Sequence, residues 1–200
     1  MTDLFKDKAE DFDANDIPQQ LSAGIGKCIL EHVPLRADMK VMDFGAGTGL
    51  VTQRIVDRVG RITAVDVSEA MLAKLQAKEG LRGKVDIVCQ DIVHAPLDET
   101  FDLVVSAMAM HHVEDTTTLI RRFWDNLVSG GLLALADLDA EGGHFHPPDA
   151  PHVHHHGFAR DALGSALRAQ GFDHVRFVTA LSVERDGRTY PVFVALGQKP

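Results

Sequence analysis

The sequence predicts an α/β fold on a largely parallel, doubly wound sheet. Three observations carry this expectation. Short apolar runs at 40–44, 61–65, 84–89, 101–107 and 131–138 alternate with amphipathic stretches, as expected for strands buried on both faces. A glycine-rich turn, Gly45-Ala46-Gly47-Thr48-Gly49, follows the first run and opens a helical pattern. The chain then closes on runs at 175–184 and 190–197 around Asp186-Gly187, a turn pair that predicts an antiparallel hairpin.

The elements follow in order. The segment 1–38 reads as helical, with Leu21, Ile25, Cys28 and Ile29 at helical spacing before Pro34. Leu50, Val51, Ile55, Val56 and Val59 share one helical face, as do Met71, Leu72 and Leu75, and later Leu119, Ile120, Phe123 and Leu127. Gly60, Gly80, Gly130 and Gly171 follow such patterns, where left-handed C-terminal caps are expected. The segment 139–157 departs from the rest: it holds six of the eleven histidines and three prolines. A long irregular stretch in a packed domain points to function.

Composition bounds the possibilities. A length of 200 residues predicts one domain, and 45% hydrophobic residues suffice for a core. A net charge of −9 argues against a nucleic-acid partner, which needs a basic patch. Cys28 and Cys89 cannot build a disulfide framework, and the charged start lacks an apolar signal core, so a cytoplasmic location is expected. No apolar run approaches the ~20 residues of a membrane span.

The glycine turn carries the first chemistry. Glycines let the backbone turn sharply and approach a ligand, while the helix start offers unpaired N–H groups. A dinucleotide loop has G-x-G-x-x-G, but position 50 is leucine and the pattern present is G-x-G-x-G. The run from Arg61 ends in Asp66, ~20 residues past the loop, where a ribose-binding carboxylate belongs. The next strand leads to Asp91, at an edge where open parallel sheets bind ligands.

With these residues, VMDFGAGTG, AVDVSEAML, CQDIVHAPL and FDLVVSAMAMHHV resemble the successive motifs of class I S-adenosylmethionine-dependent methyltransferases. The likeness is to the small-molecule branch that includes the ubiquinone/menaquinone-biosynthesis type (methyltransferase types 11 and 12). NLVSGGLLALADL resembles the segment leading to the fifth strand, and Phe12-Asp13 an aromatic-Asp pair near the start. The resemblance implies a Rossmann-like seven-stranded sheet with an antiparallel last strand, and S-adenosyl-L-methionine as cofactor, leaving S-adenosyl-L-homocysteine as product. It implies that Gly45, Ala46 and Gly47 line the methionine portion and that Asp66 holds the ribose. Val67 and Met71 would flank the adenine, with Asp91 on its amino group and Ile92 offering a backbone N–H. Ala107 and Met108 would face the methionyl end, and Asp43 would brace the loop or reach the cofactor through water.

Methyl transfer from a sulfonium is an in-line displacement that needs mainly orientation, with a base only where the acceptor loses a proton. His111 and His112 are the candidate bases, set against a packing role for the same pair. His152, His154, His155 and His156 are read as an acceptor-site lid over the cleft, with a structural loop and a metal site as alternatives. No nearby cysteine completes a zinc pattern and adjacent histidines on an extended chain point apart, so no metal is expected. A small-molecule acceptor is the expected partner. Two alternatives are carried: a non-catalytic S-adenosylmethionine-binding sensor or subunit, and an NAD(P)-binding oxidoreductase. Against the second, the only tyrosine, Tyr190, has Val194 where a Tyr-x-x-x-Lys pair needs lysine.

Overall fold

The computed structural model describes residues 3, 5–147, 150 and 152–200. Strands β1 (Lys40–Phe44), β2 (Arg61–Asp66), β3 (Val85–Cys89), β4 (Phe101–Ala107), β5 (Leu127–Leu138), β6 (Asp173–Arg185) and β7 (Arg188–Gln198) form one sheet in the order β3-β2-β1-β4-β5-β7-β6. The pairs among β1 to β5 are parallel, and β7 runs antiparallel to both β5 and β6. Only the last strand is therefore reversed. The order turns back between β1 and β4, the kind of position where such sheets open a crevice at their carboxyl ends.

Helices α1 (Lys6–Ala9), α2 (Asp16–His32), α3 (Thr52–Ile55), α4 (Glu69–Ala77), α5 (Thr116–Asp125) and α6 (Arg160–Gln170) complete the fold. Side chains alternate faces along each strand. Val41, Ile62, Leu103 and Val105 thus pack with Leu21, Ile25 and Ile29 of α2, Ile55 of α3, and Leu72 and Leu75 of α4. Met42, Phe44, Val65 and Val104 pack on the other face with Leu119, Ile120 and Phe123 of α5 and Leu163 and Leu167 of α6. Burying each such side chain contributes about 1.5–3 kcal/mol. Two helix starts are fixed by their own side chains: Ser68 accepts from the Met71 N–H, and Asp115 from the Thr118 N–H.

The expected hairpin forms on a two-residue turn, with Asp186 and Gly187 both at positive φ (51° and 73°). Several expectations need correction. The stretch 50–59 yields only the four-residue α3 and a 3-10 turn, and Leu127 begins β5 instead of extending the α5 face. Of the four glycines expected as caps, only Gly171 closes a helix in the left-handed region (φ 115°). Gly130 is left-handed but sits inside β5, while Gly60 and Gly80 are not left-handed. The helical reading of 1–38 holds for α1, a 3-10 turn and α2, but 33–38 is not helical. Met1, Thr2 and Leu4 of that segment, and Pro148, Asp149 and Pro151 of 139–157, lie outside the described residues.

Candidate functional site

The carboxyl ends of β1 to β4 open into a cavity of about 900 Å³. Its floor is the glycine loop. Gly45 (φ 67°) and Gly47 (φ 55°) adopt the left-handed backbone that side chains disfavour. A Cβ on Gly45 would lie 2.2 Å from the Ala109 Cβ, so the loop can approach the end of β4 only as glycine. A Cβ on Gly47 would meet nothing within 4 Å, so there the backbone itself faces open space.

Asp66 ends β2 beside this loop. One carboxylate oxygen accepts from the Gly47 N–H (2.8 Å), the other from the Ser68 N–H (2.9 Å). Burial pushes its carboxyl above the ordinary value, against the pull of the Ser68, Gly47 and Val67 N–H groups. The result is an acceptor held in one orientation at the cavity wall. Val67 lines the cavity next to it and is 49% exposed, unusual for a large apolar side chain. Met71, from the first turn of α4, also lines it. Asp43 is buried beneath the loop and accepts from the Thr52 hydroxyl (2.5 Å), which ties β1 to α3. Burial raises its carboxyl to about 7.

Asp91, Ala107 and Met108 line the cavity as well. The Asp91 carboxylate already accepts from the Val93 N–H (2.9 Å) and pairs with the exposed His94 (2.8 Å). Met108 has φ 56°, a strained backbone for a non-glycine residue, at the tip of β4. Ile92 is fully buried in the core and does not line the cavity.

The far end is aromatic, aliphatic and histidine-rich. Phe5, Phe12, Leu21, Ile25, Val113 and Phe145 form its apolar wall. The 3-10 turn Met110–His112 places His111 and His112 on the cavity. His112 donates from Nδ1 to the His152 carbonyl (2.7 Å) and meets the Phe5 ring edge-on. Burial and the neighbouring His111 lower its pKa to about 4. His111 is buried and its Nδ1 lies 2.8 Å from Oδ1 of Asp137, itself fully buried in β5. On its other side, His111 Nε2 lies 3.2 Å from His146 Nε2.

The histidine-rich segment docks on this turn through its backbone: the His154 and His155 N–H groups both donate to the His111 carbonyl (2.9 and 3.2 Å). Of the four histidines expected as a lid, His152 and His154 line the cavity. His155 instead donates to the Val113 carbonyl (3.0 Å), and the exposed His156 faces Glu141 (3.8 Å). Among the described residues, no group of three or more His, Cys, Asp or Glu is arranged to hold a metal ion.

Sequence reasoning overlooked Phe5, Lys8, Leu21 and Phe145 as cavity residues, and Asp137 as the partner of His111. The pair Phe12-Asp13 was legible. Phe12 lines the cavity, while Asp13 binds Thr48 (2.5 Å) and Lys78 (2.6 Å), pinning the N-terminal segment to the glycine loop.

Residues 42–135 match the methyltransferase domain family. An uncharacterized methyltransferase of Mycobacterium bovis is 36% identical over 96 residues, 48% of either chain. A malonyl-[acyl-carrier protein] O-methyltransferase of Bacillus anthracis is 27% identical over 107 residues, 52% of this chain and 39% of that protein. The chain thus spans about half the length of the curated relatives it matches. Among solved structures, a chain of the Haloferax volcanii complex between a methyltransferase and the Trm112 methyltransferase activator superposes with a TM-score of 0.82 at 19% identity. That match covers 100% of this chain and 99% of the other. The N-methyltransferase NodS of Bradyrhizobium japonicum, in complex with S-adenosyl-L-homocysteine, gives 0.74 at 17% identity, covering 99% and 95%.

Proposed function

We propose that this chain, whose residues 42–135 match the methyltransferase domain family, is a class I S-adenosylmethionine-dependent methyltransferase that moves a methyl group from S-adenosyl-L-methionine to a small-molecule acceptor. The observation that carries the reading is Asp66. Two backbone N–H groups orient its carboxylate at the cavity wall, and the acceptor capacity they leave suits the vicinal hydroxyls of a ribose. The surrounding residues fit the rest of the group. Val67 and Met71 offer apolar contact for an adenine, and Asp91 retains lone pairs for its amino group. Ile92 would contribute only through its backbone. Gly45, Ala46 and Gly47 give the methionine portion a side-chain-poor surface, closed by Ala107 and Met108, with Asp43 as the brace beneath.

When bound, S-adenosyl-L-methionine supplies a methyl group already activated on a sulfonium. The chain's own residues orient the partners and exclude water. The wall formed by Phe5, Phe12, Leu21, Ile25 and Phe145 selects an acceptor with a largely apolar body, and the histidines bordering that wall, His111 and His112 among them, are the groups able to accept a proton. His152 and His154 close the same end as part of the lid, with His155 and His156 acting from behind through loop packing. A cytoplasmic location belongs to this reading, resting on the free thiols Cys28 and Cys89. Among the described residues no helix is long and apolar enough to cross a membrane.

Titration calorimetry tests the cofactor. Saturable binding of S-adenosyl-L-homocysteine, one per chain and without comparable NAD binding, supports the reading. NAD binding without S-adenosyl-L-homocysteine binding overturns it.

A further inference from the structure

We propose that Asp137, His111 and His146 form a proton relay whose open end, His146 Nδ1, takes the proton from a hydroxyl group of the methyl acceptor; this rests on the methyltransferase reading above. The hydrogen bonds fix the direction of the relay. Asp137 is fully buried, and its carboxylate accepts the backbone N–H groups of Leu138 (2.8 Å, Oδ1) and His111 (3.3 Å, Oδ2). It therefore acts as an acceptor toward His111 Nδ1 (2.8 Å), which must carry the proton. A neutral His111 then has a bare Nε2. The neighbouring His146 Nε2, at 3.2 Å, can satisfy it only as a donor. That leaves Nδ1 of His146 as a lone-pair acceptor on a residue that lines the cavity, without a hydrogen-bond partner among the described residues.

The proton balance closes within the chain. The acceptor's O–H bond breaks, its electron pair stays on oxygen, and the proton goes to His146 Nδ1. The proton on His146 Nε2 passes to His111 Nε2. His111 becomes an imidazolium facing the Asp137 carboxylate, so positive charge is created only where a buried negative charge awaits it. His146 is then the catalytic residue, and His111 and Asp137 position and discharge it. The competing candidate, His112, lacks such an outlet: its Nδ1 donates to the neutral carbonyl of His152, and a proton taken up at Nε2 would leave its charge unpaired.

The surroundings agree with a neutral resting base. Burial is the main cause that lowers the pKa of His146 to about 4, with the cations Lys8 and Arg185 adding to it; His111 and His112 are the other titratable groups that face it. The ring also packs edge-on against Phe145, within the apolar wall. The lowered pKa makes His146 a weak base on its own, so a weakly acidic hydroxyl on an apolar body gives up its proton only because the relay passes it on to His111 beside Asp137. An amine can attack with its own lone pair and needs no relay beforehand.

Two measurements test the relay on the full chain. Long-range 1H–15N NMR of the histidine side chains, which needs no cofactor, should show His111 protonated at Nδ1 and bare at Nε2, with His146 protonated at Nε2. The opposite tautomer of either residue overturns the proposal. The second uses 4-nitrophenol as a probe, read by its phenolate absorbance, with and without S-adenosyl-L-homocysteine. The parent should raise the bound phenolate-to-phenol ratio by roughly tenfold over free solution, and Asp137→Asn and His146→Phe should abolish that gain. Should Asp137→Asn fail to fold, His146→Phe carries the test alone. No probe binding, no rise in ratio, or an equal rise in His146→Phe overturns the proposal. Absence of S-adenosyl-L-homocysteine binding would instead fault the cofactor reading, leaving the tautomers to decide the relay.

Discussion

At the glycine-loop end of the cavity, a short stretch of chain supplies most of the surface: Gly45, Gly47, Asp66, Val67 and Met71, fixed by backbone N–H groups and left-handed glycines. At the histidine end the wall comes from Phe5, Leu21, His111, Phe145 and His154, residues scattered over most of the sequence. The first end is a local motif whose geometry the backbone enforces. The second exists only once α2, the turn after β4 and the segment after β5 have met. A shared cofactor calls for the first kind of construction, and a private acceptor for the second.

The comparison breaks most sharply at Gly45. Gly45→Ala puts a Cβ 2.2 Å from that of Ala109 at φ 67°. The left-handed backbone alone costs about 1–2 kcal/mol and overpacking about 1–3 more. Urea unfolding should show that loss and calorimetry no cofactor binding; a stable, binding-competent variant would mean the loop is not held by backbone geometry. Asp66→Ala comes next. Hydrogen bonds to a charged acceptor are worth about 1.5–3 kcal/mol, so S-adenosyl-L-homocysteine affinity should fall roughly ten- to more than a hundredfold with the fold intact. Asp91→Ala should cost less, because one exocyclic amino group offers fewer hydrogen bonds than two vicinal hydroxyls. Equal losses would dissolve the distinction between the two acids.

The histidine end is sharpened by acid. His112 and His146 titrate at about 4 in the fold against an ordinary 6.5, so the unfolded chain binds more protons between those values. Their stabilisation is complete above about 6.5 and is lost as pH falls toward 4. Asp43, raised to about 7 from 3.8, acts with the opposite sign and weakens the fold as pH rises through that range. Melting temperatures of His112→Phe/His146→Phe should therefore fall less on acidification from pH 7 to 4.5 than those of the parent. Parallel curves would show that these rings are not held neutral. The smallest effects lie behind the cavity: His155→Gln should cost about 1 kcal/mol through its bond to the Val113 carbonyl, and exposed His156→Gln nothing measurable. Neither should alter cofactor affinity.

What could be read before folding follows the same division. The strand–glycine–helix opening, the strand end at Asp66 and the closing hairpin are each encoded in a short local stretch, and periodicity and spacing find them. The short α3 and the early start of β5 were missed because apolar spacing does not reveal where a helix gives way to a 3-10 turn or a strand. Gly60 and Gly80 show that a glycine after a helical pattern is not by itself a cap. His111 was found by its place after β4, but Asp137 looked like one more residue of a buried strand. Its pairing joins positions 26 apart, and no local signal records it. Phe5 and Phe145 could be placed on the cavity only by the fold.

A crystal structure with S-adenosyl-L-homocysteine bound tests the division of the cavity most directly. The account expects the ribose hydroxyls on the Asp66 carboxylate, the adenine between Val67 and Met71, and the homocysteine sulfur directed toward Met108, with the Phe5, Phe145 and His146 end left free for an acceptor. A nucleoside lying among the histidines, or an Asp66 carboxylate making no contact with it, would contradict the account.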